Sequence, residues 1–210
     1  MNADARFWDK IAADYALKPW PDPQSTARKL AITRALLAPE HRLLDVGCGT
    51  GTILIELAPL VAVAEGVDVS PAMIEIARQK AASAGSKATF RAEPAEALAA
   101  LPDASIDCIT AYNLLHLVAD PPGLIRTFAR VLRPGGVLVS HTACMGGIWF
   151  PPYALVIPVM RWLGKAPLVT LFTADELRAH LAAAGFVDLQ EPDVGAAAPG
   201  LFQVVRRAVV

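Results

Sequence analysis

Leu43-Leu44-Asp45-Val46-Gly47-Cys48-Gly49-Thr50-Gly51 passes from a short apolar run, through one acid, into three glycines at alternate positions. Leu43 to Val46 has the composition of a strand, and residues 52–60 beyond the glycines suit a helix. A glycine turn between a strand and a helix N-terminus lets backbone N–H groups approach a ligand that side chains would hold off. The spacing is G-x-G-x-G, with Thr52 where a dinucleotide fingerprint has its third glycine. No Lys-Ser/Thr pair follows, which disfavours a P-loop. Taken alone, the loop also fits a tight strand-to-helix turn whose glycines serve geometry only.

Outward from this loop, strand and helix patterns alternate to about residue 143. Strands fit 42–46, 62–67, 87–92, 105–112 and 135–143, and helices fit 52–60, 71–84, 94–100 and 121–132. Ser70-Pro71 supplies an N-cap followed by proline at the first helical position. Arg133-Pro134-Gly135-Gly136 reads as the stop of one helix and the turn into the next strand. Such alternation implies a parallel sheet with right-handed crossovers, a doubly wound α/β domain whose ligands sit beyond the carboxyl ends of the strands.

Two segments stand outside the alternation. Residues 5–38 are amphipathic helix with a break at Lys18-Pro19-Trp20-Pro21-Asp22-Pro23, which reads as an N-terminal helical cap over 1–38 on a domain spanning 39–210. Residues 144–172 form an apolar insertion carrying Trp149, Phe150, Tyr153, Met160, Trp162 and Phe172. Thr173-Ala174-Asp175-Glu176 then has the form of a capping box, its helix ending at Gly185, before a terminal strand pair at 186–191 and 202–208.

Composition narrows the function classes. Hydrophobic residues make up 54% of the 210, which argues against disorder and suits helices on both faces of a sheet. A formal net charge of −1 argues against a nucleic-acid surface. Cys48, Cys108 and Cys144 are widely spaced without a C-x-x-C, which fits reduced thiols in a cytoplasmic protein and neither a disulfide frame nor a zinc site. No signal peptide is recognisable at the N-terminus, and Ile148 to Leu163 is too short and too broken by proline to span a bilayer.

Asp68 follows Gly51 by 17 residues at the end of the second strand, where a carboxylate can accept both hydroxyls of a ribose or else cap the next helix. Asp45 points to the same crevice, as a ligand contact or a cap. At these residues the chain resembles the class I S-adenosylmethionine-dependent methyltransferases of small-molecule type. The likeness continues through Gly66-Val67-Asp68-Val69-Ser70-Pro71-Ala72-Met73, Ser105-Ile106-Asp107-Cys108-Ile109, Arg130-Val131-Leu132-Arg133-Pro134-Gly135-Gly136 and Phe172-Thr173-Ala174-Asp175-Glu176-Leu177.

The resemblance implies a Rossmann-like seven-stranded sheet, its last strand antiparallel, with S-adenosyl-L-methionine as cofactor lying across strands 1, 2 and 4. By position, the backbone at Gly47, Cys48 and Gly49 would face the methionine moiety, Asp68 would hold the ribose, and Val69 with Met73 would flank the adenine. Glu93 matches the acid after strand 3, although Ala92-Glu93-Pro94 departs from the usual Gly-Asp-Ala and Glu96 is a rival. Tyr112 and Asn113 match the end of the donor pocket, and Tyr15 is the cap-helix residue expected to reach the ligand.

Methyl transfer is an in-line displacement that needs acceptor and methyl held in near-attack geometry. A base is needed only where the acceptor must lose a proton, and His116 and His141 are its candidates. The insertion falls where the family builds its acceptor lid, so Trp149, Phe150, Tyr153 and Met160 are expected to meet a small, largely apolar acceptor. Core packing or a dimer contact would use the same residues, and the chain reads as a monomer or homodimer. Trp149, Phe150 and Trp162 with Arg161 also suit a membrane interface, which makes a peripheral quinone or phospholipid methyltransferase the alternative. The rival from another class is a donor-binding regulator without transferase activity.

Overall fold

Strand β1 (Arg42–Val46) lies in the interior of a seven-stranded sheet, third from one edge. The computed structural model describes residues 3–19, 22–147, 153–195 and 200–209, the side chains of Ala3 and Tyr153 excepted. Leu43 and Leu44 are both buried, on opposite faces of the sheet, because successive side chains of a strand alternate. A strand covered on both sides therefore reads as an unbroken apolar run.

On one side of β1 lie β2 (Val63–Asp68) and β3 (Thr89–Ala92). On the other lie β4 (Ile106–Tyr112), β5 (Leu132–Ala143), β7 (Gly200–Arg207) and, at the edge, β6 (Phe186–Gln190). The first five strands pair in parallel, and β7 runs antiparallel between β5 and β6. This is the doubly wound sheet with an antiparallel last strand that the motif order implies. The winding reverses between β1 and β4, which opens a crevice beyond their carboxyl ends.

Helices α3 (Thr52–Leu57) and α4 (Pro71–Ser83) cover one face, where Leu54, Leu57, Ile74 and Ala77 pack with Leu43, Phe90 and Cys108. Helices α5 (Pro121–Val131) and α7 (Ala174–Ala183) cover the other, with Ile125, Phe128 and Leu177 against Leu44, Ile109 and Leu138. Phe128 is wholly buried, and its truncation to alanine would cost about 3–5 kcal/mol. Ser70 caps α4, accepting from Met73 N at 3.1 Å, with Pro71 at the first helical position. Thr173 and Glu176 form the expected capping box on α7.

Three elements differ from expectation for local reasons. Pro59 ends α3 at Leu57, because it lacks an N–H, and the chain continues to Leu60 as a short 3-10 turn. Residues 95–100 are likewise 3-10 rather than α-helical. Arg133 to Gly136 lie inside β5, whose register against β4 jumps between Leu132 and Val137, so Gly135 at φ +77° serves a bulge within the strand.

The N-terminal segment forms α1 (Ala3–Leu17) and α2 (Pro23–Arg34). Helix α1 packs on α4 and is pinned there by Asp9, which accepts from Ser70 Oγ at 2.6 Å and Ala72 N at 3.0 Å. Helix α2 meets the sheet through Thr33 Oγ1, 2.6 Å from the Tyr112 hydroxyl. Within the insertion, α6 (Tyr153–Trp162) is the described element. No helix among the described residues is long and apolar enough to cross a membrane.

Candidate functional site

A cavity of about 790 Å³ opens at the carboxyl ends of β1, β2 and β4, roofed by α1. Gly47 and Gly49 form part of its wall, with φ of +71° and +52°, backbone that glycine adopts without strain. A Cβ at Gly47 would stand 2.9 Å from Leu114 Cδ1, and a Cβ at Gly51 only 2.7 Å from the Phe90 ring. The glycines thus keep this wall close to the sheet.

The N–H groups of Gly47, Cys48, Gly49 and Gly51 are already engaged. Gly47 N and Cys48 N both donate to Val67 O, at 2.8 and 3.0 Å, and Gly49 N donates to Asp68 Oδ2 at 3.0 Å. Sequence reasoning expected these groups to face a ligand. Pairing within the protein replaces that role, and the loop's contribution becomes close approach. Cys48, expected to face the ligand, is not part of the cavity wall; its thiol packs on Gly66, and burial pushes its pKa well up.

Asp68 lies in the wall between the glycine loop and α4. Its carboxylate accepts from Gly49 N and from Ser70 N at 2.9 Å, one bond to each oxygen, which leaves lone pairs for a ligand. Burial pushes its pKa up, and the two N–H donors oppose the shift. Val69, Met73, Pro94 and Ala95 surround the adjoining part of the cavity, and both Glu93 and Glu96 line it. Glu93 is also held by Arg91 Nε at 3.3 Å.

Asp45 stands behind the loop, outside the cavity wall. Register pairs it with Thr110 on β4, and Thr110 Oγ1 donates to Asp45 Oδ1 at 2.7 Å. It does not cap α3 either, because the N-cap there is Gly51. Burial, first of all, pushes the Asp45 carboxyl up to about 7.

After β4 the chain turns through Asn113, at φ +55° in the left-handed region that asparagine tolerates better than most residues. Tyr112 and Asn113 both line the cavity. The Tyr112 ring stacks on Phe202 at 6.3 Å, and burial pushes its hydroxyl pKa up. His116 also lines the cavity, its Nδ1 buried without a partner and its pKa pushed down to about 4 by burial. His141 does not reach the cavity: its Nδ1 lies 2.8 Å from Asn113 Oδ1 and its ring abuts Gly200. The expectation of a catalytic His141 therefore gives way to a supporting contact behind Asn113.

Tyr15 extends from α1 over Gly49, 45% exposed, its hydroxyl pushed up by loss of solvent and by Asp68. The lid expectation fares differently. Met160 faces solvent away from the cavity, Trp149 and Phe150 lie outside the described residues, and so does the side chain of Tyr153. What the insertion does contribute is Leu168, whose N–H donates to Asp4 Oδ1 at 3.0 Å. Thr170 N then donates to His116 O at 2.8 Å, tying the insertion's end to the wall.

Sequence reading missed Lys18, Lys80, Leu114, Leu117 and Leu168 in the wall. Lys80 carried a signal, since it follows Met73 by two helical turns on the same face. Its ammonium donates to Thr50 Oγ1 at 3.0 Å and Thr52 Oγ1 at 3.2 Å. Among the described residues no cluster of His, Cys, Asp or Glu is placed to hold a metal ion.

A family model described as a methyltransferase domain matches residues 22–191. The chain belongs to this methyltransferase family. It is 35% identical over 137 residues to the ubiquinone biosynthesis O-methyltransferase of Xanthomonas euvesicatoria pv. vesicatoria (strain 85-10), covering 65% of this chain and 56% of that protein. The chain thus spans little more than half the length of the curated relatives it matches. Among solved structures, an S-adenosylmethionine-dependent methyltransferase from Mesorhizobium loti superposes with a TM-score of 0.69 at 24% identity, over 89% of this chain and 99% of that one. The [4+2]-cyclase SpnF superposes with a TM-score of 0.75 at 22% identity, over 98% and 95%. A cyclase on the same scaffold shows that the fold alone does not fix the chemistry.

Proposed function

We propose that the protein transfers a methyl group from S-adenosylmethionine to an oxygen of a small, largely apolar acceptor. The observation that carries this reading is the Asp68 carboxylate, fixed by Gly49 N and Ser70 N in the cavity wall beside Val69 and Met73. A carboxylate so placed suits the paired hydroxyls of a ribose, and the apolar side chains beside it suit a flat base.

The spent N–H groups support the same donor over a phosphate-bearing one. Phosphate binding at such a turn uses free backbone N–H groups and the helix N-terminus. Here Asp68 already occupies Gly49 N and brings negative charge to the loop. A nucleoside without phosphate, carrying a positive charge, matches that environment better. When bound, the sulfonium supplies an electrophilic methyl group for in-line displacement.

The chain's residues then need to place the acceptor and shed water. Leu114, Leu117, Val118 and Leu168 give the remaining wall an apolar character that suits a transition state in which charge disperses. His116 serves this step as a hydrogen-bond donor, not as the base expected from sequence. A group with a pKa of about 4 is a poor proton acceptor at neutral pH. Its buried Nδ1 has no hydrogen-bond partner among the described residues, so the neutral ring keeps its proton on Nε2. An acceptor hydroxyl that gives its proton to solvent would have its oxygen held by that N–H. The O-methyltransferase relatives support oxygen as the acceptor atom.

The test joins binding to turnover. S-adenosylhomocysteine should bind in calorimetry while NAD does not, and labelled donor should mark phenols in preference to amines. Absence of S-adenosylhomocysteine binding rejects the donor, and labelling confined to amines rejects oxygen.

A further inference from the structure

Helix α6 is ten residues of largely apolar side chains, and it is bare. Leu155 is 73% exposed, Val159 56%, Trp162 85% and Leu163 53%, while Val156 and Met160 are also exposed. Ile157 alone is half-buried among its described side chains. These six exposed residues follow at i, i+1, i+4, i+5, i+7 and i+8, which gathers them on one continuous face. Scattered exposed leucines need no explanation, but a contiguous apolar stripe marks a surface that something covers.

Charge indicates what covers it. From Pro121 to Ala174 the chain contains no aspartate or glutamate, and the cations next to the stripe in sequence are Arg161 at the end of α6 and Lys165 just beyond it. Lys165 is exposed and forms no ion pair among the described residues. Arg161 meets Asp4 of α1 at 3.5 Å. The same face of a second copy would bring no acid from its own segment to balance Lys165. An apolar layer beneath anionic headgroups satisfies both the stripe and Lys165. Ten residues span only about 15 Å, so such a helix lies along a bilayer surface and does not cross it.

We propose that α6 is an interfacial helix that seats the protein on an anionic lipid surface beside the cavity. The position is set by two contacts: Asp4, in the cavity wall, holds both Arg161 and Leu168 N. The seated helix therefore adjoins the apolar wall at Leu168, and an acceptor dissolved in the bilayer is delivered next to the site. That last consequence rests on the proposed apolar acceptor, whereas the lipid surface stands without it.

Vesicle cosedimentation of the full chain tests this. Vesicles of phosphatidylcholine with about one-third phosphatidylglycerol should bind about fivefold more tightly than phosphatidylcholine alone, with part of the binding surviving moderate salt. The double variant Leu155→Glu, Val159→Glu should lose sedimentation while keeping its thermal midpoint, since neither side chain packs on the fold. No sedimentation of the parent at low salt overturns the proposal, as does binding unchanged in the double variant. A dimer in sedimentation velocity that the same substitutions dissolve overturns it too, assigning the face to a second copy. S-adenosylhomocysteine calorimetry without vesicles, unchanged by the double variant, reads the donor assignment separately.

Discussion

Nδ1 of His141 lies 2.8 Å from Oδ1 of Asn113, and Asn113 N donates to His141 O at 2.7 Å. Nε2 of the same imidazole is buried without a partner. A buried N–H with no acceptor is costlier than a bare ring nitrogen, so the neutral ring places its proton on Nδ1 and donates to Oδ1. The Asn113 amide group is thereby turned with its NH2 toward the cavity. We expect His141→Leu to weaken S-adenosylhomocysteine binding about five- to tenfold, the size of one hydrogen bond, and His141→Gln to recover part of it. The Asn113 side-chain amide resonance should move in His141→Leu and return toward its parent position in His141→Gln.

Asp68→Ala should weaken S-adenosylhomocysteine by about 1–3 kcal/mol through lost hydrogen bonds to a charged group. Calorimetry checks this, and equal affinity in variant and parent would end the ribose assignment. Asp68→Asn should fall between the two, because the amide keeps one acceptor oxygen.

Gly51→Ala should destabilise the fold by about 2–4 kcal/mol. The positive φ and a Cβ 2.7 Å from the Phe90 ring and 2.9 Å from Ala77 Cβ both contribute. Gly47→Ala meets the far end of a flexible leucine side chain, so its urea midpoint should fall less while donor binding suffers more.

Asp45 makes stability pH-dependent. Its folded pKa of about 7 lies above that of the unfolded chain, so the folded state binds more protons in between. This contribution is fully present below pH ~4 and is lost as pH rises to about 7. Urea unfolding across that interval should show a flatter decline for Asp45→Asn than for the parent, and parallel curves would refute the shift.

For His116 the expected pH profile carries no limb near pH 6.5. His116→Leu should lower turnover about 10- to 100-fold through the lost donor, with His116→Gln retaining more. A limb near pH 6.5 that vanishes in His116→Gln would restore the histidine as a base.

The strand-to-loop passage was legible because burial on both faces and a close backbone wall each leave a mark in residue type. Asp68, Val69 and Met73 were legible by position after the second strand, and all three line the cavity. The lost loop N–H groups were not, since nothing in residue type tells whether a carbonyl such as Val67 O has taken them. His141 pointed at the site by register, yet one residue of depth puts Asn113 in front of it. Met160 was read from hydrophobicity, which reports that a side chain seeks cover and not which surface supplies it.

Helix α1 carries Tyr15 over Gly49 at one end and Asp4 against the insertion at the other, about three turns apart. One rigid rod therefore touches both compartments. Whatever ordering of that rod the first ligand brings need not be repeated for the second, so donor and acceptor should bind with positive linkage. The affinity for S-adenosylhomocysteine should rise in the presence of an acceptor analogue, and by reciprocity the analogue's affinity should rise by the same factor.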